Sequence, residues 1–407
     1  MFTFGLSKGL LAVVAVIVLL LPAGVVAQDA TPTMPTAEGD ATPEVPSFPP
    51  PSANVTLFAT GLDNPRGLKF GPDGVLYVAE GGTGGTTSTE GQCEQVVPPV
   101  GPYTGSKTAR ISKLDATGQR TTVADGLPSN QTAPTLGNLV SGVADVAFVG
   151  DTLYALIAGG GCSHGHPNDP NGVLRVNPDG TTELVADLSA FVKANPVAKP
   201  NPGDFEPDEG AYAMVELDGA LYIVESNHGA LDKVEAASGA TSRVIDLSAS
   251  EGHLVPSAIT VGPDGNLYLG NLTTFPVVAG TAKIYMLTPD GQLSVHAEGL
   301  TAVLGVAFDD QGRLYVLETT GPGLGPEAPI VPGTGRVVRL TEGGGMEVIA
   351  TGLVFPTAMT FGPDGLLYVS NFGFGFPPGA GQVVTIDLTM PLPEQPMGGS
   401  PEAGAGG

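Results

Sequence analysis

The chain has 407 residues, a formal net charge of −25 from 41 acidic and 16 basic side chains, and two cysteines. So few basic residues exclude a phosphate-neutralising groove for nucleic acid and also argue against adhesion to anionic lipid. Two cysteines exclude a disulfide-dense scaffold and a zinc site of four thiolates, whereas the 42% hydrophobic content suffices for a large core.

The N-terminus has the pattern of an export signal. Lys8 is the only charged side chain before Asp29, and an apolar run from Leu10 to Leu21 follows it. That run has the length of a signal h-region and is short for a spanning helix, which needs about 20 residues. The small residues Val25 and Ala27 predict that residues 1–27 are a cleaved signal peptide and that the mature protein is secreted or extracytoplasmic. The alternative is an uncleaved N-terminal membrane anchor.

Two segments flank the predicted folded unit. Residues 28–53 contain seven prolines among Thr, Ala and acidic residues, a composition that favours an extended linker over a packed element. Residues 389–407 are similarly rich in Pro and Gly and are predicted to be a disordered tail. The folded unit is therefore predicted to span residues 54–388.

A phrase of the form LKFGPDGVLYVAE recurs six times within this unit. It consists of an apolar stretch, a turn with Gly or Asp, and Leu-Tyr followed by further apolar residues. Its tyrosines are Tyr77, Tyr154, Tyr222, Tyr268, Tyr315 and Tyr368. Their spacings of 77, 68, 46, 47 and 53 residues approach the period of β-propeller blades, and the two long spacings indicate insertions.

A second phrase, such as AKIYMLTPDGQLSVHAEGL, follows five of the six copies and has the alternation of a β-hairpin. The sixth copy ends after one strand, whereas VTLFATGL at residues 55–62 matches the missing one. The sequence therefore predicts an all-β, six-bladed propeller with four-stranded antiparallel blades. The N-terminal strand at 55–62 pairs with residues 382–388 and closes the ring. No helical periodicity is found outside the signal segment.

The opening block ATGLDNPRGLKFGPDGVLYVAEGG, a Gly-rich loop with one Cys, and the later ISKLDATG and VADGLPS resemble the ScyD/ScyE family of exported bacterial proteins. The resemblance extends over nearly all of residues 54–388. It implies a secreted propeller related to NHL and gluconolactonase-like proteins, and it carries over no established set of catalytic residues.

Polar residues recur where the second strand of each blade ends. The position three residues after each tyrosine is, in order, Glu80, Ile157, Glu225, Asn271, Glu318 and Asn371. Equivalent positions in a propeller form a ring, and three carboxylates with two amides match the oxygen ligands of Ca²⁺. Gluconolactonase-like propellers hold calcium with such side chains. The alternatives are a hydrated polar channel mouth without an ion and pairing with Arg66.

Two long loops contain the cysteines. Cys93 and Cys162 lie in corresponding loops of neighbouring blades, which predicts a disulfide in an exported protein. Cys162, His164 and His166 match no strong metal motif, so the two histidines are expected to be solvated. The acidic segment Asp204–Glu209 has the composition of a solvated loop.

His228 and His253 are the weak candidates for a catalytic general base, because both follow or precede strands near the predicted ring. The simpler interpretation is two surface histidines. The leading functional hypothesis is a binding or scaffold protein that takes an unknown small molecule, glycan or protein at its loop face. The alternative is a calcium-dependent, lactonase-like hydrolase. A third possibility, a quinone-dependent sugar dehydrogenase, is disfavoured by the scarcity of Lys and Arg around the ring.

Overall fold

The computed structural model describes residues 48–321, 330–390 and 392. The predicted signal peptide, residues 28–47 of the predicted linker and most of the predicted tail lie outside the described residues. In the described part of the chain, no helix is both long enough and apolar enough to cross a bilayer.

Six antiparallel sheets form a ring, as the sequence predicts. The first blade contains β2 (Pro65–Phe70), β3 (Leu76–Glu80), β4 (Thr104–Leu114), β5 (Arg120–Gln131) and β6 (Val140–Ser141). The second contains β7 (Val143–Val149), β8 (Thr152–Ile157), β9 (Gly172–Val176) and β10 (Thr182–Asp187). The third contains β11 (Ala211–Leu217), β12 (Ala220–Glu225), β13 (Ala230–Glu235) and β14 (Thr241–Asp246).

The remaining blades have four strands each. The fourth contains β15 (Pro256–Val261), β16 (Leu267–Asn271), β17 (Ala282–Leu287) and β18 (Leu293–Leu300). The fifth contains β19 (Val303–Phe308), β20 (Leu314–Glu318), β21 (Gly335–Leu340) and β22 (Met346–Leu353). The sixth contains β23 (Ala358–Phe361), β24 (Leu367–Asn371), β25 (Gly381–Ile386) and β1 (Val55–Leu62). The first strands of successive blades pack side by side and surround a central channel.

The N-terminal strand completes the last blade, which confirms the predicted closure. Strand β1 pairs antiparallel with β25, from Val55 opposite Ile386 to Leu62 opposite Gly381. Leu62 and Ala59 are buried against the sixth blade. Pairing with β1 covers the outer edge of β25, so that edge is not available for strand pairing between molecules.

The recurring tyrosines join neighbouring blades. The ring of Tyr77 packs edge-on against Phe148 of the second blade at a centroid distance of 5.0 Å. The equivalent pairs Tyr268–Phe308, Tyr315–Phe361 and Tyr368–Phe70 repeat this contact at three further junctions. Such edge-to-face pairs add to the free energy gained by burying the rings. The repeated tyrosine is therefore a packing residue.

The first blade differs from the predicted four-stranded pattern. Strands β4 and β5 continue beyond the predicted hairpin as far as Thr104 and Gln131, and β6 adds a fifth strand to the sheet. This extended hairpin has no counterpart in the other blades. It brings Asn130 and Ser141 to the loop face of the propeller.

Two short α-helices, which the sequence analysis missed, follow the last strands of the second and third blades. These are α1 (Leu188–Ala194) and α2 (Leu247–Glu251). Each begins after an aspartate whose side chain accepts a hydrogen bond from the amide three residues later: Asp187 from Ala190, and Asp246 from Ala249. Asp is a favoured helix N-cap, and in both helices the cap and the first three helical residues are Asp-Leu-Ser-Ala. They are too short to give a helical period.

Candidate functional site

A cavity of about 170 Å³ lies at the channel mouth, where strands β11 and β15 begin and strands β8 and β12 end. Its polar lining residues are Tyr103, Asn130, Ser141, Asp204, Glu206, Tyr212, Ser226 and Asn227. Ala158, Ala211 and Val255 supply apolar surface. Because two carboxylates and no Lys or Arg line the cavity, its electrostatic character is negative.

Chain insertions build this cavity. The segment between α1 and β11 crosses the end of β12, where the Glu206 backbone N–H donates to Asn227 Oδ1 at 2.7 Å. Asn227 Nδ2 donates in turn to the backbone oxygen of Asp204 at 2.6 Å. One amide side chain thus positions both carboxylates at the cavity. The expectation of a solvated acidic loop is wrong for Asp208 and Glu209, which are buried.

A tyrosine, a histidine and a carboxylate form one side of the cavity. The Tyr103 hydroxyl donates to Glu206 Oε1 at 2.8 Å, and its ring stacks on His164 at a centroid distance of 4.8 Å. Burial and the nearby Glu206 carboxylate raise the pKa of Tyr103 well above its usual value. His164 Nδ1 contacts the Gly160 carbonyl at 2.5 Å, and Nε2 lies 3.4 Å from Glu206 Oε2.

The histidines are less exposed than the sequence predicts. His164, His166 and His228 are buried, and His164 and His166 lie against Tyr103 and Gly105 of the first blade. His228 lies against Phe205, and His253 Nε2 lies 2.8 Å from Asp204 Oδ2. Neither of the two candidate general bases, His228 and His253, lines the cavity. His253 touches it only through Asp204.

The five strand-end residues bond inside their own blades. Glu80 accepts hydrogen bonds from Arg110 Nε at 2.8 Å and from the Asp63 backbone N–H at 2.6 Å. Glu318 pairs with Arg336 of the adjacent strand and accepts from the Thr301 N–H at 2.6 Å. Among residues 48–321 and 330–390, no group of three or more His, Cys, Asp or Glu side chains is placed to hold a metal ion.

The other strand ends repeat this arrangement. Glu225 accepts from the Gly210 N–H at 3.1 Å, and Asn371 Oδ1 accepts from the Val354 N–H at 2.7 Å. Asn271 Nδ2 donates to the Leu254 carbonyl at 2.9 Å. Each partner lies in the connection that enters the first strand of the same blade. The structure thus uses these oxygen-bearing groups to satisfy buried backbone.

The channel beneath the mouth contains Arg66 and Asp145. The Arg66 guanidinium donates to the carbonyls of Gly373, at 2.7 Å, and Val140, and so joins the sixth and first blades. Burial lowers the pKa of Arg66. Asp145 accepts from the Met214 N–H at 2.8 Å, and burial raises the pKa of Asp145 to about 6. Arg66 therefore does not pair with the strand-end glutamates.

An aromatic cluster, which the sequence analysis did not single out, lies beside the channel on the sixth blade. Its members are Phe48, Phe355, Phe372, Phe374 and Phe376. Phe355 stacks on Phe374 at a centroid distance of 4.5 Å, and the Arg66 guanidinium lies 5.9 Å from the Phe374 ring. The alternation of Asn-Phe-Gly-Phe-Gly-Phe at 371–376 is the signal that could have revealed it.

Glu209 is a buried carboxyl group without a hydrogen-bond partner for either oxygen in the described part of the chain. It directly precedes the cavity residues Gly210 and Ala211. Burial raises the pKa of Glu209 well above the usual value, and a smaller contribution comes from the nearby carboxylates of Glu225, Asp232 and Glu206. The neutral form of Glu209 is therefore the form that the fold accommodates.

We expect Glu209→Gln to flatten the dependence of stability on pH. Because the folded-state pKa of Glu209 is raised, its contribution is complete below the unfolded-state pKa of about 4.3 and is lost as pH rises through the folded value. Melting temperatures measured between about pH 5 and pH 8 should therefore fall less in the variant than in the parent. Glu342→Gln, on an exposed turn, is the control. Parallel curves for parent and Glu209→Gln would contradict this account.

The two cysteine sulfur atoms lie 2.07 Å apart, so Cys93 and Cys162 form a disulfide in the structure. It connects the long loops of the first two blades, and Thr89 of the first loop also donates to the Cys162 carbonyl. The bridge and this hydrogen bond hold together the two insertions that carry Tyr103 and His164.

Thiol titration of the denatured, unreduced protein should detect no free cysteine. Cys93 and Cys162 are the only two cysteines of the chain, so the bridge consumes both. The same titration after reduction should detect two thiols and serves as the control. Two free thiols in unreduced protein from an oxidising compartment would refute the bridge.

The chain resembles known proteins in its fold alone. No family model matches the sequence, and no curated protein matches it. Among solved structures, an auxiliary nutrient-binding protein from Bacteroides thetaiotaomicron has a TM-score of 0.51 at 9% identity, over 82% of this chain and 76% of that one. The calcium-binding protein regucalcin from Agrobacterium tumefaciens has a TM-score of 0.49 at 16% identity, over 82% and 93%. A gluconolactonase from Xanthomonas campestris has a TM-score of 0.47 at 10% identity, over 82% and 89%.

Proposed function

We propose that the protein is an exported binding protein that holds a small polar molecule in the channel-mouth cavity. The observation that carries this proposal is Asn130, which lines the cavity, is 1% exposed and has no hydrogen-bond partner for Nδ2 in the described part of the chain. Buried polar groups in folded proteins are almost always hydrogen-bonded. An amide donor without a partner beside a polar cavity therefore favours a ligand that accepts the missing hydrogen bond.

The size of the cavity limits the ligand. A volume of about 170 Å³ corresponds to roughly five or six water molecules at ~30 Å³ each and lies below the usual range for drug-sized ligands. A single sugar ring or a molecule of similar size is the largest ligand that this volume suits. The Cys93–Cys162 bridge supports export, because disulfides persist in oxidising compartments.

A melting screen of small polar molecules tests the proposal. Compounds that bind the folded state raise its melting temperature. At a concentration 100-fold above Kd, such a compound adds about 2.7 kcal/mol to the free energy of unfolding. At least one compound should stabilise the parent protein and fail to stabilise Ala158→Phe, whose larger side chain fills the cavity. Compounds that stabilise both proteins equally bind elsewhere. A panel without any compound specific to the parent would contradict the proposal.

The alternative function, a calcium-dependent hydrolase of the lactonase kind, requires the strand-end carboxylates to exchange their present bonds for an ion. Those bonds include the Glu225 contacts with the Gly210 and His228 amides, at 3.1 and 2.7 Å. Calcium is proposed only with this alternative, and membership of the ScyD/ScyE family stays a prediction.

Melting curves in calcium and in chelator distinguish the two functions, and we expect the curves to coincide. Calcium binding to the folded state would raise the melting temperature. A calcium-dependent rise that Glu225→Gln abolishes and Asp204→Asn preserves would favour the hydrolase over the cavity.

A further inference from the structure

Of the four hydroxyl groups that line the cavity, all but that of Ser141 donate their hydrogen atoms to the protein. Tyr103 donates to Glu206 Oε1 at 2.8 Å, Tyr212 to the Thr357 carbonyl at 3.4 Å, and Ser226 to the Pro256 carbonyl at 2.6 Å. A hydroxyl that donates to the protein can only accept from a ligand. Together with the Asp204 and Glu206 carboxylates, these groups make the cavity a surface of hydrogen-bond acceptors.

The charge of the cavity is not compensated by lysine or arginine side chains in the described part of the chain. Across residues 48–321 and 330–390, Asp204 and Glu206 pair with His253 and His164 and form no ion pair with Lys or Arg. Arg66, in the channel below, donates to the Gly373 and Val140 carbonyls. An anionic ligand would therefore meet two carboxylates without a cation to receive it.

Asn130 adds a second requirement. Its Nδ2 group is a buried donor without a partner in the described part of the chain, so a matching ligand also presents an acceptor oxygen. The cavity thus calls for several donors, a positive charge and at least one acceptor within one small molecule. A protonated primary amine supplies three N–H donors and the charge, and a hydroxyl group supplies the acceptor.

We infer that the cavity binds a small primary ammonium ion that also carries hydroxyl groups, an amino alcohol or a single amino sugar. The ammonium group lies between Asp204 and Glu206, and a hydroxyl oxygen accepts from Asn130. This inference rests on the proposed binding function and names the chemical class of its ligand. Hydrogen bonds between ionised partners are the stronger kind, so the charge dominates selectivity.

Isothermal titration calorimetry with three pyranose sugars that differ mainly at carbon 2, and with an open-chain sugar acid, tests the inference. The four sugars are glucosamine, glucose, N-acetylglucosamine and gluconate, titrated at about pH 6, where the amine is protonated. Glucosamine should bind at least about tenfold more tightly than glucose, because charged hydrogen bonds exceed neutral ones by roughly that factor. N-acetylglucosamine and gluconate, which lack the cation, should bind no better than glucose.

Variants of the two cavity carboxylates test whether glucosamine binds in the cavity. Glu206→Gln keeps an acceptor for Tyr103 while removing the charge, and should weaken glucosamine binding at least about tenfold. Asp204→Asn is a second such variant, in case the first disturbs the fold. Glu235→Gln, in a half-exposed ion pair with Lys233, is the matched control and should bind like the parent.

The outcomes separate this inference from the proposed function. Glucose or N-acetylglucosamine binding as tightly as glucosamine, with Ala158→Phe abolishing it, would overturn the cationic ligand and leave a small-molecule site. Preferred binding of gluconate would likewise overturn it. If glucosamine binds and neither charge-removing variant changes its affinity, the amine does not occupy this cavity and the inference fails. Absence of binding by all four sugars, and by every compound of the melting screen, would overturn both.

Discussion

A variant that begins at Asp63, and so lacks β1, is expected to unfold at a much lower temperature than the parent protein and to associate in solution. The deletion removes Leu62 and Ala59 from the core and leaves the outer edge of β25 without a partner strand, while β24 still pairs with its inner edge. Loss of one buried leucine side chain alone costs about 2–5 kcal/mol, so loss of the whole strand should exceed that range. The exposed edge of β25 then invites pairing between molecules.

Thermal melting and light scattering measure both effects. A variant that begins at Phe48 retains β1 and is the control, with the melting temperature and the oligomeric state of the parent. A monomeric protein that begins at Asp63 and melts at the parent temperature would contradict ring closure by the N-terminal strand.

The second large effect is expected for Glu80→Ala. The Glu80 side chain is fully buried and accepts from Arg110, from Ser112 and from the Asp63 backbone. Its removal leaves Arg110 with only the Asp63 carboxylate, at 2.8 Å, as a charged partner. Removing one member of a buried ion pair costs about 3–5 kcal/mol, and we expect the lower end of this range because that contact remains.

Denaturant unfolding measures the cost. Glu183→Ala breaks an exposed ion pair with Arg175 and, as the control, should change the stability little, because exposed ion pairs contribute little. Equal losses in the two variants would show that Glu80 does not stabilise its blade in this way.

The propeller could be predicted because its signals repeat. Each blade carries the same tyrosine, and that residue packs against the next blade. Closure was predictable from residues 55–62, whose sequence matches the last strand of other blades. The short helices α1 and α2 were missed because their only signal is an Asp cap, which is weaker than a periodic apolar face.

The strand-end residues were correctly placed on equivalent strands, but their side-chain partners were not predicted. The register puts Arg110 opposite Glu80 and Arg336 opposite Glu318. These partners lie in the second phrase of each repeat, so comparing the two phrases across strands could have paired them. Equivalence of backbone position establishes where a side chain starts, not which group it bonds.

The cavity was the least predictable feature because it is built from insertions that occur once. Tyr103 directly precedes the extended hairpin of the first blade, Asn130 lies in it, and Glu206 belongs to the segment before β11. The acidic segment has the composition of a solvated loop. What holds it at the cavity is a long-range contact with Asn227, which no local pattern reveals.

A crystal structure of the protein soaked in glucosamine would show whether the amine occupies the channel-mouth cavity. We expect electron density for the sugar in this cavity, with its nitrogen about 2.7–3.2 Å from a carboxylate oxygen of Asp204 or Glu206 and an oxygen near Asn130. Density for the sugar at another site, with the cavity holding only water, would contradict it.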